Sequence, residues 1–137
     1  EMSFVEGEPY VFGELSNNIL ISSGPMLHNC IAAAKIILKN YNIKIGIIDI
    51  PSIKPLNLDS LKKLLIGRKC IITVEDHMTQ GGLGSLIAES LSSIGISIPL
   101  FIKGLDSFVS SGKPNELEKK YLLDEASIAN FVLEKIK

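Results

Sequence analysis

Tryptophan is absent from this chain of 137 residues, charge of either sign is nearly balanced, and aromatic residues are few. The formal net charge of −1 leaves no electrostatic footprint for nucleic acid, because binding to a phosphate backbone needs clustered lysine and arginine. Aromatic residues make up 6% of the chain and are scattered, so the sequence offers no platform on which bases could stack. We therefore expect no nucleic-acid partner.

Long hydrophobic runs are also missing. The longest apolar stretches fall well short of the ~20 residues that cross a bilayer, and no basic segment precedes an apolar one near the start, as in a signal peptide. The two cysteines, Cys30 and Cys70, stand alone in apolar segments, where cysteine usually behaves as a small hydrophobe. We expect reduced thiols, no membrane partner and a cytoplasmic location. The first residue is Glu1 rather than methionine, which we interpret as a hint of a fragment of something longer.

The composition that remains is that of one compact domain, with 46% hydrophobic and 21% charged residues. Strand-like apolar runs alternate with segments of helical periodicity. Strands are predicted at 10–12, 19–22, 43–50, 70–74 and 98–102, and helices at 27–40, 60–65, 83–94, 114–120 and from 125 onward. Such alternation predicts an α/β fold, a three-layer sandwich around a mostly parallel sheet. Residues 1–18 are expected to form a lead-in or linker with an edge hairpin.

The boundaries carry recognisable signals. Asp59 and Asp124 are predicted to cap the helices that follow them. Gly67 and Gly95 are predicted to end helices. Pro99 indicates that the last strand lies at an edge of the sheet or starts late.

The stretch 71–91 joins an apolar run, a charged triplet, a glycine-rich turn and an amphipathic helix. The glycines Gly81, Gly82 and Gly84 could expose backbone N–H groups to an anion at the helix N-terminus. A dinucleotide fingerprint would need a further glycine where Ile87 stands, and no Lys-Ser or Lys-Thr pair completes a P-loop. We favour the interpretation that the glycines permit a tight turn and close packing of helix on sheet.

The charged triplet is Glu75-Asp76-His77, which we expect at the end of a strand. Glu75 and His77 would share a side of that strand and could act as an acid–base pair. The triplet lacks metal-ligand spacing, and the other histidine, His28, is far along the chain. His28 and Cys30 do not face each other on a helix, so they form no catalytic pair. We favour the simpler interpretation that one residue of the triplet binds backbone groups of the bend and the others face solvent or a partner.

Several segments, in order and at fitting spacing, resemble the C-terminal domain of the transketolase family of thiamine-diphosphate enzymes. The resemblance runs from about residue 12 to the end. It is carried by Ile19–Gly24, Ile48–Leu56, Thr73–His77, Gly81–Ser85, Gly104–Phe108 and Tyr121–Asp124. The amino-acid sequence at the bend is most similar to that of transketolases, including those split into two chains. The chain departs from the family at Leu122, where glycine is common, and at Ser23-Gly24-Pro25, where a Gly-Ser pair is more usual.

The resemblance implies a five-stranded mixed sheet flanked by helices over residues 19–137. It also implies a parent enzyme that moves two-carbon ketol units between sugar phosphates with thiamine diphosphate and Mg²⁺. In the family the cofactor lies between two other domains, so those domains and a homodimer mate are the implied partners. We carry over no catalytic, cofactor-binding or metal residue, and we expect the fragment alone to be inactive and not to hold the cofactor. The implied family-signature or interface loop consists of Glu75, Asp76, His77, Gly81, Gly82, Gly84 and Ser85.

Three alternatives stay open at the level of sequence. The domain could belong to a 1-deoxyxylulose-5-phosphate synthase, which is a further relative. It could be the docking face of a 2-oxo acid dehydrogenase beta subunit. It could also be a free-standing domain that binds an anion at Gly81–Ser85.

Overall fold

The computed structural model describes residues 5–51, 55–79, 81–105 and 122–137, and at His77 and Met78 it describes the backbone alone. The strands are β1 (Tyr10–Phe12), β2 (Asn18–Ser22), β3 (Gly46–Asp49), β4 (Cys70–Met78) and β5 (Leu100–Leu105). The helices are α1 (Met26–Tyr41), α2 (Leu58–Leu65), α3 (Leu83–Ile94) and α4 (Glu125–Lys135).

The strands form one mixed sheet in the order β1-β3-β2-β4-β5. All neighbours are parallel except β1, which runs antiparallel to β3. The five-stranded, mostly parallel α/β fold predicted from the sequence and the resemblance is therefore confirmed. The short strand at 10–12 is also confirmed, but the hairpin is wrong, because β1 pairs with β3 rather than with the next strand along the chain. Both edges of β2 are already occupied, by β3 and β4.

Helices cover both faces of the sheet. Alternate residues of each central strand point to opposite faces, so β2 sends Leu20 to one hydrophobic layer and Ile19 and Ile21 to the other. The first layer lies under α1 and α4 and the second under α2 and α3. The first layer is built from buried residues that include Cys30, Ala33, Ile37, Ile72, Val74, Ile128 and Val132. The second includes Ile48, Ile71, Leu61, Leu65, Leu83, Ile87 and Leu91.

Helix ends follow backbone chemistry. Asp124 caps α4 by accepting a hydrogen bond from the Ser127 N–H at 3.3 Å, as predicted. Gly95 ends α3 in the left-handed conformation at φ 73°, which glycine adopts without steric cost. The cap of α2 is not Asp59 but Asn57, whose Oδ1 accepts from the Ser60 N–H at 3.1 Å. Asp59 instead lies in the first turn, where a carboxylate still complements the helix dipole.

Strand boundaries differ from the sequence pattern where pairing partners decide them. β3 is shorter than the apolar run 43–50, and β5 begins at Leu100, directly after Pro99, at an edge of the sheet. β5 also reaches Leu105, into the segment predicted as a loop. The predicted helix at 114–120 and the rest of that loop lie outside the described residues.

Candidate functional site

Between β2 and β4, the connections that follow the two strands lead in opposite directions along the sheet. The helix after β2 leads to β3 over one face, while the helix after β4 leads to β5 over the other face. In open α/β sheets, ligands bind outside the carboxyl ends of the strands at such a switch point. The stretch 71–91 crosses this edge, so the candidate site is built around it.

Glu75 is the most deeply placed charged side chain at this edge, with 1% of its surface exposed. The alternation of β4 directs it toward the same face as Ile71, which is the face that α3 covers. One carboxylate oxygen, Oε1, accepts a hydrogen bond from the Leu83 N–H at 2.8 Å, and Oε2 accepts from the Gly84 N–H at 2.9 Å. The carboxylate thus binds two amides of the first turn of α3.

The reason for this arrangement lies in the helix itself. The residue in the N-cap position of α3 is Gly82, which has no side chain to offer, and the first turn has no acidic residue. The N–H groups of a first turn have no partner within the helix, and burial without a partner is costly. Glu75 supplies the acceptor from the neighbouring strand, and its negative charge suits the positive end of the helix dipole. The favoured prediction, that one residue of the triplet binds backbone groups of the bend, is confirmed.

The sequence predicted that the triplet would end the strand, but it does not. β4 continues through Met78, with a register shift between Val74 and Met78 against β5. Met78 pairs with Leu105, and the Thr79 N–H donates to the Leu105 carbonyl at 2.9 Å. Pairing with β5 therefore overrides the low strand propensity of the charged residues.

The glycine turn is closed by its own side chains. Gly81 adopts a φ of +76°, and its N–H donates to Ser85 Oγ at 3.0 Å. The Ser85 hydroxyl in turn donates to the Thr79 carbonyl at 3.1 Å. The Ser85 side chain is half-buried and fastens the turn to the end of β4.

Gly84 lets α3 lie close to the sheet. A Cβ atom at this position would stand 2.6 Å from Cγ2 of Ile102 on β5. The favoured interpretation of the glycines, a tight turn with close helix–sheet packing, is confirmed.

Three of the amides that an external anion would need at this turn already have acceptors within the chain. The Leu83 and Gly84 N–H groups already donate to Glu75, and a phosphate there would also meet a buried carboxylate. This geometry argues against the hypothesis of a free-standing anion site at Gly81–Ser85. The same geometry does not fit the diphosphate of a thiamine cofactor, and the described residues hold no cluster of three or more His, Cys, Asp or Glu side chains that could bind a metal. We assign no step of a thiamine-dependent reaction to this chain.

Asp76 is half-buried, and the backbone of His77 lies within β4. The side chain of His77 lies outside the described part, so an acid–base pair with Glu75 stays a hypothesis. Both carboxylate oxygens of Glu75 already accept hydrogen bonds from backbone amides.

Cys30 and Cys70 are free and buried, which confirms the prediction of unpaired thiols. Burial raises the pKa of Cys30 to about 12, an effect larger than the opposing influence of the neighbouring Ser22 hydroxyl. Since the thiolate is the nucleophilic form, Cys30 is no nucleophile, and His28 is exposed on the first turn of α1. Burial also raises the pKas of Cys70 and of Asp49, which lies at the end of β3.

Sequence reasoning missed which residue caps α3. A usable signal was present, because a helix that begins Gly-Gly-Leu-Gly has no capping side chain of its own and must find an acceptor elsewhere. It also missed Asn29, whose buried side chain donates from Nδ2 to the Leu123 carbonyl at 3.0 Å and ties α1 to the segment before α4. The two residues are 94 positions apart in the sequence, so no local sequence pattern predicts this contact.

None of the helices in the described ranges is long and apolar enough to cross a membrane.

The chain matches the family model described as "Transketolase, C-terminal domain" over residues 14–128. It is 34% identical to a protein of Methanocaldococcus jannaschii named as a transketolase C-terminal section, with all of this chain and 42% of the relative covered. It is 38% identical over 119 residues to the 1-deoxy-D-xylulose-5-phosphate synthase of Clostridium kluyveri, covering 86% of this chain and 19% of that enzyme.

Solved structures give the same picture. A split-gene transketolase, described as an inactive beta4 tetramer, superposes with a TM-score of 0.87 at 28% identity, covering 97% of this chain and 43% of that one. The transketolase of Campylobacter jejuni shares the fold, with a TM-score of 0.70 at 18% identity over 97% of this chain and 19% of its own.

The chain thus spans less than half the length of each of these relatives. The family match covers most of the chain, from the loop before β2 into α4. The chain belongs to the transketolase C-terminal domain family.

Proposed function

We propose that this chain is the C-terminal part of a transketolase-type enzyme that transfers two-carbon ketol units between sugar phosphates. The parent would use thiamine diphosphate and Mg²⁺ held by two further domains, in the same polypeptide or in a separate subunit. Support comes from the similarity to a split-gene transketolase, which extends over 97% of this chain. The relative from Methanocaldococcus jannaschii, also a C-terminal section, aligns over the whole chain.

The observation that carries the role of the chain itself is the internal cap of α3. A carboxylate from β4 occupies the helix N-terminus at the switch point, where an enzyme of this architecture would otherwise bind its ligand. The edge is therefore a fixed shape rather than a binding cleft. This favours a structural role, in which the bend packs against the thiamine-binding domains and a dimer mate.

We propose that the loop formed by Glu75, Asp76, His77, Gly81, Gly82, Gly84 and Ser85 lies at or near that domain interface. Glu75 and Ser85 would act indirectly, by holding the backbone of the loop in one conformation.

The first test is calorimetric. Titration of thiamine diphosphate and Mg²⁺ into the 137-residue chain should give no binding heat, whereas the complex with the thiamine-binding section should give a saturable isotherm. Tight binding by the chain alone would contradict the proposal.

The second test is reconstitution. The polypeptide of the same organism that carries the Mg²⁺-diphosphate motif, Gly-Asp-Gly followed about 25–30 residues later by Asn-Asn, should be inactive alone. Adding this chain should restore transfer from xylulose 5-phosphate to an aldose phosphate acceptor. Ketol transfer by the thiamine-binding section alone would remove the need for this chain.

A 1-deoxyxylulose-5-phosphate synthase is the second candidate. The 38% identity to the Clostridium kluyveri enzyme over 119 residues favours it. The reconstituted complex would then form 1-deoxyxylulose 5-phosphate and show no ketol transfer between sugar phosphates. One preparation assayed for both products decides between the two.

A further inference from the structure

A cavity lies at the end of the sheet opposite to the candidate site, where the parallel strands begin. Its volume is about 400 Å³, within the range of sites that bind small molecules. The first residues of β2 and β4, the residue before β5 and the end of α4 surround it. It is thus separated from the candidate site by the length of the central strands.

The lining of this cavity is cationic. Three lysines, Lys69, Lys135 and Lys137, line it together with Asn17 and Asn18, and no acidic side chain is among those lining residues that the structure describes. The chain as a whole has a net charge of −1, so the positive charge is local. The carboxamides of the two asparagines add neutral N–H donors.

Part of this charge has a structural explanation, and part does not. Lys135 lies in the last turn of α4, where a cation offsets the partial negative charge of the helix end. Lys69 belongs to no helix, and its backbone N–H donates to the Asn17 carbonyl at 2.7 Å, which holds it at the mouth of the cavity. Its neighbour Arg68 is already engaged with the carbonyls of Leu64 and Ser16.

Lys135 is held in place before any ligand arrives. Its ammonium lies 5.2 Å from the ring centroid of Phe101 and 5.2 Å from that of Phe131, and its side chain is 29% exposed. Its acidic neighbour, Glu134, stands 3.7 Å away on a side chain that is 73% exposed. A single solvated carboxylate neutralises such a charge only weakly.

The remaining wall is apolar and is formed by Cys70, Pro99, Phe101 and Ile136. A cationic rim with an apolar wall suits a ligand that has both an anionic group and a hydrocarbon or ring portion. Lysine binds phosphate and carboxylate groups as a point charge. We propose that this cavity is a binding site for a small organic anion, a phosphate ester or a carboxylate, with Lys69 and Lys135 as its principal contacts. The site does not depend on the proposed function of the parent enzyme.

The test is an NMR titration of the chain with inorganic phosphate, phenyl phosphate and benzoate, at an ionic strength kept constant with chloride so that screening does not change. Amide shifts should saturate and should group at Asn18, Lys69, Phe101 and Ile136. Phenyl phosphate should bind more tightly than inorganic phosphate, by about tenfold, because its ring removes apolar surface from water. Tighter binding of phenyl phosphate than of benzoate would assign the ligand to phosphate esters, and the reverse order would assign it to carboxylates. Either order supports the site.

Variants separate the site from general attraction to lysines. Lys69→Gln and Lys135→Gln should each weaken binding about fivefold, the factor expected for loss of one charge contact. Lys135→Arg keeps the charge over the rings and should bind as the parent chain does. The matched control is Lys39→Gln, since Lys39 is exposed on α1 and does not line the cavity. Shifts that fail to saturate, that spread over lysines outside the cavity, or that persist unchanged in both glutamine variants would overturn the proposal.

Discussion

Glu75 illustrates how one side chain can decide whether a glycine-rich turn binds ligands or supports the fold. Its two oxygens accept hydrogen bonds from two first-turn amides of α3 at 2.8 and 2.9 Å, so the anion that the helix end favours is part of the chain. A free helix N-terminus and an internally capped one look the same in a glycine pattern. They differ only in whether an acidic side chain comes back to the amides.

Replacing Glu75 should therefore cost stability rather than binding. Glu75→Ala would leave two buried N–H groups without acceptors, at about 1–3 kcal/mol each, and we expect a loss of about 2–6 kcal/mol in the free energy of unfolding. Glu75→Gln keeps one acceptor oxygen and should lose about half as much. Urea unfolding followed by circular dichroism measures both.

The matched control for this substitution is Glu89→Gln on the same helix, because Glu89 is exposed. It should change the free energy of unfolding by less than about 0.5 kcal/mol. If Glu75→Gln changed the free energy of unfolding as little as this control, the cap would not contribute to stability.

Asp49 carries a prediction about pH. Burial raises its pKa above the ordinary value, so the folded protein binds this proton more tightly than the unfolded chain does. Stability from this group is complete below the ordinary aspartate pKa of about 3.9 and is lost as the pH rises through the raised folded value. Asp49→Asn removes that loss, so its melting temperature should exceed that of the parent chain at pH 7, and the gap should close toward pH 3.

Thermal unfolding at several pH values tests this, with Glu89→Gln as the control for removal of a charge at an exposed position. An Asp49→Asn variant that is less stable than the parent at pH 7 would contradict the sign of the effect.

At the scale of elements, the contact of α3 with β5 depends on a missing side chain. Gly84→Ala would place its methyl 2.6–2.8 Å from three side-chain atoms of Ile102. The expected cost of overpacking is about 1–3 kcal/mol, which exceeds the roughly 1 kcal/mol that alanine gains over glycine in a helix. We expect a net loss of up to about 2 kcal/mol by urea unfolding.

A double-mutant cycle identifies the cause of that loss. In an Ile102→Ala background the clash disappears, so Gly84→Ala should then be neutral or stabilising, and the two substitutions should be strongly non-additive. Equal costs of Gly84→Ala in both backgrounds would mean that Ile102 is not the obstacle.

Local sequence chemistry predicted the elements whose limits depend on a few neighbouring residues. Gly95 ends α3 and Asp124 caps α4, as expected, because backbone conformation and capping act within one turn. The extension of β4 over residues 75–78 was not predicted from the sequence. It depends on pairing with β5 at Met78, which is a contact between segments distant in sequence. The prediction of a hairpin at β1 was wrong for a related reason. The strand that pairs with β1 is β3, because β3 had a free edge in the sheet. The candidate site was also predictable only in part. The sequence predicted that one residue of the triplet binds backbone groups, but which residue does so depends on the path of the turn.

At the scale of the whole molecule, the central sheet couples its two hydrophobic layers. β2 contributes Leu20 to the layer under α1 and α4 and Ile19 and Ile21 to the layer under α2 and α3. Because both layers are built on this strand, unfolding of β2 would remove side chains from both layers at once. The described domain should therefore unfold in one cooperative step, as most single domains of this size do.

Small deletions on either face make that cooperativity measurable. Ile37 of α1 and Ile87 of α3 are both fully buried, one in each layer. Ile37→Val should cost about 1 kcal/mol, and native-state hydrogen exchange should report that same loss at the slowest amides of α1 and of α3 alike. Ile87→Val is the mirror experiment and should lower protection equally on both faces. Loss of protection confined to the face that carries the substitution would mean that the layers open separately and that the sheet does not transmit the change.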